Sequence, residues 1–463
     1  MSELPRSWHV TSLGEIGFVQ SGVGFPNEAQ GLTSGDYPVY KVGDVSRSVL
    51  QAKGNLKFAN NYVSKETAAS LRGYIFPAGS TLFAKIGEAL KLNRRAFVIR
   101  EGLADNNVMG YKAEPGVSDR FVYHYLRTQD LAAFSRSTTV PSIRKGDVEE
   151  IIVQLPPADE QTRIAAKLDE LLAQVDTLKT RIDGIPALLK RFRQSVLAAA
   201  VSGRLTEEWR AKNGAKIEVE GSAAETSEEF AWPMVRLGDV ALDFSYGSSA
   251  KSQRAGDIPV LRMGNIQGGR LVWDDLVFSS NPEELRKYSL QVGDVLFNRT
   301  NSPELVGKTA TYKGEQPAIY AGYLIRVRCS EHLISDFLNY CLNSPQGKDY
   351  CWQVKTDGVS QSNINAKKLA DFRFGLPSTE EQTEIVRCVD QLFSFAERLE
   401  ARISDARIRI DRLTQSILAK ALRGDLVPQD PNDEPADLLL DRIKAQRAAA
   451  PKNKRGRRST TED

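Results

Sequence analysis

Two stretches of this chain set apolar residues against polar ones in strict heptad order. In the first, Ile164, Leu168, Leu171, Val175, Leu178, Ile182, Ile185, Leu189, Phe192 and Val196 step by four and three alternately. In the second, Ile385, Val389, Leu392, Ala396, Leu399, Ile403, Ala406, Ile410, Leu413 and Ile417 keep the same beat. Each seam predicts a long helix whose narrow apolar stripe needs a partner, and a strict seven-residue repeat implies a left-handed supercoil. The segments containing them, Leu155 to Leu205 and Leu376 to Leu426, align without a gap at an offset of 221 residues. Two matching seams in one polypeptide predict a pair formed within the chain, with a coil joining two separate chains as the alternative; the seam does not choose between parallel and antiparallel. Ser378 and Glu381 have capping-box spacing, Glu160 follows Pro156 and Pro157, and Gly203 and Gly424 sit where left-handed C-terminal caps belong. A bend is predicted near Gly184 and Pro186, because proline removes a backbone donor and crowds the preceding turn.

The rest of the chain is also written twice. Trp8 precedes Leu13-Gly14-Glu15-Ile16 as Trp232 precedes Leu237-Gly238-Asp239-Val240, and GDYPVYKVGDV from Gly35 is answered by GDIPVLRMGNI from Gly256. Gly79-Ser80-Thr81-Leu82-Phe83 has a counterpart in Gly293-Asp294-Val295-Leu296-Phe297, while the residues between these anchors diverge. Repeated scaffold with differing loops is the pattern of one fold used twice to present two surfaces. In the first copy YPVYKV, GYIF, STLFAKI and RRAFVI read as strands, FVYHYLRTQDLAAFSRS as a helix, and 138–145 as a loop leading to IIVQLP. The organisation predicted is an N-terminal α+β domain over 1–155, a long helix over 156–210, a linker over 211–230, a second α+β domain over 231–376, a second long helix over 377–427, and a short amphipathic helix with a basic, disordered tail over 428–463.

Composition narrows this only slightly. A chain of 463 residues with 41% apolar content supports several cores, and a net charge of +3 does not advertise polyanion binding, so any nucleic-acid surface must come from local clustering. Cys329, Cys341, Cys351 and Cys388 form no C-x-x-C pair and read as reduced, mostly buried thiols. No apolar stretch approaches a membrane span, which predicts a cytoplasmic protein without membrane contact.

Motifs for catalysis are scarce. Val306-Gly307-Lys308-Thr309 resembles the end of a phosphate-binding loop, but the first glycine of that motif falls on Ser302, so it reads as a polar loop or strand edge. Gly22-Val23-Gly24 reads as a turn. Neither Pro156-Pro157 nor Asn281-Pro282 supplies the loop with which an amino-methyltransferase holds a flipped base, and His9, His124 and His332 are isolated. No metal site and no catalytic residue is predicted. What remains is a set of candidate DNA contacts in the diverging loops: Lys41, Lys85, Arg94, Arg95, Arg136, Arg144 and Lys145 in the first copy, and Arg262, Arg299, Asn301, Lys308, Gln361 and Asn363 in the second. Arg, Lys, Asn and Gln are the side chains that hold phosphates or read base edges, although any one of them is ordinarily a solvated surface group.

The doubled LPP-x-x-EQ and LPS-x-x-EQ openings, the helical segments ending SVLAAAVSGRLTEEWR and LTQSILAKALRGDL, and the paired globular halves together resemble the DNA-specificity subunit of type I restriction-modification systems. That resemblance implies two target recognition domains, each reading half of a bipartite, asymmetric site in double-stranded DNA, and an antiparallel pairing of the long helices in a pseudo-twofold repeat. It implies two modification (methyltransferase) subunits acting on adenine and restriction/translocase subunits as partners, with S-adenosylmethionine, ATP and Mg on those partners and no cofactor on this chain. Lys179, Arg191, Arg193, Arg402, Arg409 and Arg412 on the helix faces are candidate docking positions, or solvated coiled-coil flanks. The rival expectation is a bipartite DNA-binding scaffold or repressor that works without enzymatic partners.

Overall fold

The structure is a computed structural model, described here for residues 4–135, 140–213 and 232–449. Residues 214–230 of the linker expected over 211–230, the tail beyond Ala449, and Arg136 lie outside the described residues, and 211–213 belong instead to a short helix, Glu207–Asn213. The chain divides into two compact units: Met1–Thr180 with Ala406–Asp463, and Arg181–Asp405. The two long helices, Ala158–Val201 and Thr379–Arg423, each contribute to both.

In the first unit, strand His9–Ser12 pairs antiparallel with Ile152–Leu155 and brings the two ends of the head together. The central sheet has five strands in the order Gly17–Ser21, Val108–Ala113, Thr81–Ala84, Arg95–Val98 and Asn55–Leu56. A smaller sheet places Tyr37–Tyr40 antiparallel to Tyr62–Val63 and parallel to Leu103–Ala104. Of the predicted strands, GYIF forms no ladder; only Phe76 bridges, to Gly102. The predicted helix near the end of the head stops at Thr128, because Asp130 caps a new 3-10 turn over Leu131–Phe134.

In the second unit, Met234–Arg236 pairs with Arg373–Gly375, and the main sheet runs Ala241–Tyr246, Leu324–Cys329, Val295–Asn298, Thr309–Thr311. Ile258–Leu261 again lies parallel to a short strand, Ile319–Tyr320. Gly79 and Gly293, with φ of 90° and 91°, turn the chain into Thr81–Ala84 and Val295–Asn298, so the repeated glycine serves a backbone shape that side-chain-bearing residues rarely adopt.

Within each unit the long helices run antiparallel. In the first, Lys179 pairs with Asp411 at 3.4 Å, and Arg163 reaches Asp433 beyond the end of the second helix. In the second, Arg193 forks onto Glu400 at 2.7 and 3.0 Å while Thr206 meets Glu381 at 2.6 Å. The helix over Ala158–Val201 continues through Pro186, so the predicted bend does not interrupt it. The buried stripe is wider than the heptad near the heads: Ala165 and Leu172 join Ile164, Leu168 and Val175, and Leu197 and Phe393 join Val196, Ile385 and Val389. There a helix packs against both its partner and a globular head, which demands a broader apolar face. Leu189 and Ile417 are also buried, and Leu171, Ile182, Phe192, Leu392, Leu399, Ile403 and Ile410 are half-buried. Leu178 and Leu413 depart from the expected seam, remaining 46% and 47% exposed, because a two-helix contact covers one side only.

The capping box predicted at Ser378 is half made. The Glu381 backbone N–H bonds Ser378 Oγ at 3.4 Å, but the carboxylate turns away to accept from Trp232 Nε1 at 3.0 Å, Thr206 and Arg210. Glu160 does likewise with Trp8 Nε1 at 2.9 Å and with Gln429. The adjacent glutamines, fully buried, stitch helix start to head: Gln161 accepts from the Ser118 N–H at 2.8 Å, and Gln382 from the Ile334 N–H at 2.7 Å. The repeated E-Q pair is therefore a junction between head and helix, and a buried amide or carboxylate is tolerable there because its hydrogen bonds are made.

Candidate nucleic-acid interface

Backbone hydrogen bonds reveal a repeat that sequence offsets obscure. In the first unit the Asp105 N–H donates to Tyr40 O, and the Lys85 N–H donates to Asn107 O. The turn 105–107 therefore sits between Lys41, which follows Tyr40, and Lys85, which follows strand Thr81–Ala84. In the second unit the Ala321 N–H donates to Leu261 O and the Arg299 N–H donates to Tyr323 O, placing the turn 321–323 between Arg262 and Arg299. The next rung also matches: the Ile143 N–H reaches Lys85 O, and the Ile364 N–H reaches Arg299 O. Arg144 and Asn365 follow these isoleucines, each preceding a short helix. Lys41, Lys85 and Arg144 thus correspond to Arg262, Arg299 and Asn365.

Local sequence explains why these side chains stand at strand ends. Lys41 and Arg262 each open a helical turn, and the residue three positions on, Asp44 or Asn265, returns to accept their backbone N–H at 2.9 Å. Gly22 and Gly247 let strand ends pass against the turn; a Cβ at Gly22 would lie 2.0 Å from Asp105 O, and one at Gly247 2.3 Å from Tyr320 O. The side-chain chemistry differs between units. Lys41 lies over the Phe25 ring and donates to Gln30 Oε1 at 2.6 Å, beside the buried carboxyl of Asp105, which desolvation pushes above its ordinary range. Arg262 donates to Asp275 O at 2.6 Å. Arg299 stacks on Tyr246, 4.7 Å from the ring centre, and faces Asn363, whose amide donates to Thr300 at 2.7 Å. Asn301 and Asn363 lie on paired strands, Thr300–Asn301 and Ser362–Asn363, next to Thr356–Asp357.

Other predicted contacts fall elsewhere. Arg95 is 3% exposed and points inward, donating to Leu126 O and Gln129 O at 3.2 and 3.0 Å; burial lowers its pKa to about 10. It is a structural cation, and its position on a central strand is the reason. Arg94 precedes it and is half-exposed. Lys145 pairs with Glu149 one helical turn away, at 3.5 Å. Lys308 donates to Gln267 at 3.1 Å and leads into the edge strand Thr309–Thr311, the outcome expected of a polar loop. Gln361 is exposed in the turn joining Thr356–Asp357 to Ser362–Asn363. Asn365, Tyr246 and Tyr323 were missed because their register becomes visible only once the backbone rungs are drawn. Of the helix-face cations, Lys179 and Arg193 are engaged in the interhelix pairs already described.

Among the described residues no cluster of His, Cys, Asp and Glu could hold a metal ion, and no helix is long and apolar enough to cross a membrane. Cys341 and Cys351 are buried, Cys329 and Cys388 partly so, and all four are free. Burial raises the Cys351 thiol to about 11, far from the thiolate a nucleophile requires. His9 and His332 are exposed. His124 is buried, with Nε2 2.8 Å from Asp169 Oδ1 and Nδ1 3.5 Å from Arg127 Nη1.

Cations and amides thus gather at equivalent strand ends of two α+β heads, the kinds of side chain that hold phosphates or read base edges. Comparison with known proteins gives the family. The model for the type I restriction modification DNA specificity domain matches residues 5–187 and again 231–406. The chain is 29% identical to the EcoKI specificity subunit of Escherichia coli (strain K12), covering 99% of both chains, and 31% identical to the EcoDI specificity subunit of Escherichia coli over the same shares. Its fold resembles a chain solved in work on complex assembly and conformational transition of the type I R-M system, with a TM-score of 0.64 at 20% identity, covering 92% of this chain and 100% of that one. It also resembles the HsdS subunit from Thermoanaerobacter tengcongensis, with a TM-score of 0.56 at 22% identity, covering 92% and 99%. The chain belongs to the DNA specificity family of type I restriction-modification systems, whose part is DNA sequence recognition rather than catalysis.

Proposed function

We propose that the two heads each read one half of a bipartite, asymmetric site in double-stranded DNA. The long helices then carry two adenine methyltransferase subunits and the restriction subunits, with S-adenosylmethionine, ATP and Mg held by those partners. The observation that supports this most is the pair of rungs: Lys41, Lys85 and Arg144 occupy the same places as Arg262, Arg299 and Asn365, yet the side chains differ. Equivalent placement supports a common ligand, and unequal side chains support unequal half-sites. Unequal readers built on one scaffold produce an asymmetric target.

Mapping methylated adenines across a host genome, with and without this gene, tests the reading. A split motif whose methylation disappears with the gene is expected. The full chain is also expected to copurify with a methyltransferase subunit. A tight footprint by the chain alone, with no associated subunit and no change in methylation, would favour the repressor instead.

A further inference from the structure

Arg299 differs from the other interface cations in how it is held. Its Nε is buried without a hydrogen-bond partner, as is that of Arg262, but its Nη1 and Nη2 make only long contacts, each 3.4 Å, to Gly322 O and Asn363 Oδ1. Contacts of that length are weak. Stacking on Tyr246 therefore does most of the holding, and the ring is itself fixed because its hydroxyl accepts the Ala366 N–H at 3.0 Å. Arg262 has instead spent a terminal nitrogen on Asp275 at 2.6 Å. The result at Arg299 is a planar donor fork, oriented in advance, whose strong hydrogen bonds are still to be made. Such a fork matches O6 and N7 on the major-groove edge of guanine.

The first unit provides an internal control. Backbone rungs place Lys85 where Arg299 stands, and Ser21 where Tyr246 stands: Gly22 and Gly247, the residues that follow, donate to Val108 O and Leu324 O. An ammonium with a serine at the stacking position is a point charge without a fixed plane, suited to a phosphate. We propose that Arg299 is the guanine-reading residue of the second head, positioned by Tyr246, whereas Lys85 at the equivalent place holds backbone phosphate. This rests on the reading that each head recognises half of a DNA site.

The test uses the full chain with its modification subunits and a panel of duplexes in which each base pair of the mapped target is replaced in turn. Arg299→Lys is expected to lose preference at one G·C pair in one half-site by roughly tenfold or more. The remaining base pairs of the same half-site should be read unchanged, which reports that the second head is folded, and the other half-site should be unaffected. Tyr246→Leu should weaken the same preference, and Lys85→Ala should lower affinity for every duplex alike. If Arg299→Lys lowers affinity evenly across the panel, or alters preference only at A·T pairs, the guanine assignment is overturned. A wild-type complex showing no preference at two separated half-sites would instead overturn the two-reader reading on which it rests.

Discussion

Asp169 on the first long helix faces a buried histidine, whereas Asp390, its counterpart 221 residues on, receives a tyrosine hydroxyl. His124 Nε2 lies 2.8 Å from Asp169, which Arg120 also grips at 2.9 Å; Tyr340 donates to Asp390 at 2.5 Å. Both contacts tie a helix of the head to a long helix, but only the first contains an imidazole, the side chain whose ordinary pKa lies closest to neutrality. A second difference lies at the chain end. The C-terminal helix Ala436–Ala449 buries Leu439, Leu440 and Ile443 in the first unit's core, and Arg447 donates to Gly14 O and Gly17 O at 2.8 and 2.9 Å. In the second unit the matching residues Val240 and Ala241 are only half-buried, and Leu242 is 72% exposed. Duplication thus preserved the scaffold while each unit acquired its own fastenings.

Removing the chain beyond Glu434 should exaggerate that asymmetry most. Fully burying a leucine or isoleucine contributes about 1.5 to 3 kcal/mol, so loss of three such side chains should cost several kcal/mol, all in the first unit. Amide hydrogen exchange should show faster exchange in 9–155 with little change in 234–375. Equal loss of protection in both would show that the C-terminal helix supports more than its own head.

Acidification should separate the units more gently. Burial lowers the His124 pKa, and although burial also opposes ionisation of Asp169, the hydrogen bonds from His124 and Arg120 hold that carboxyl at about 2. Both folded values lie below their unfolded ones, so the stabilisation from each is present at higher pH and declines on acidification. For His124 the loss begins near pH 6.5 and proceeds downward; for Asp169 it begins near 4 and is complete only below about 2. Each pH unit between folded and unfolded values is worth about 1.4 kcal/mol. The first unit should lose exchange protection below pH 6.5 before the second does, and His124→Tyr, which copies the second unit's contact, should remove that difference.

The sequence exposed the duplication plainly because heptads and glycine turns are constraints that repeat at fixed spacing. The E-Q pairs were visible as a pattern, but their work was not: Glu160 and Glu381 looked like helix-start residues and are partners of Trp8 and Trp232 across 152 and 149 residues. Arg95 was misread because charge alone does not show which face of a strand a residue occupies. The correspondence of Lys85 with Arg299 was hidden because loops of unequal length break the 221-residue offset, and only backbone pairing restores it. Asn365 escaped notice for the same reason. Function was legible at the level of family, and the correspondence between the strand ends of the two heads only after the strands were placed in register.

The most direct test of two readers joined by a pair of helices is to insert seven residues into each long helix at matching places in the seam. One heptad adds roughly 10 Å, or about three base pairs of DNA. Sequencing of methylated sites should return the parental half-sites with a spacer longer by about that amount. An unchanged spacer accompanied by altered half-sites would contradict the account.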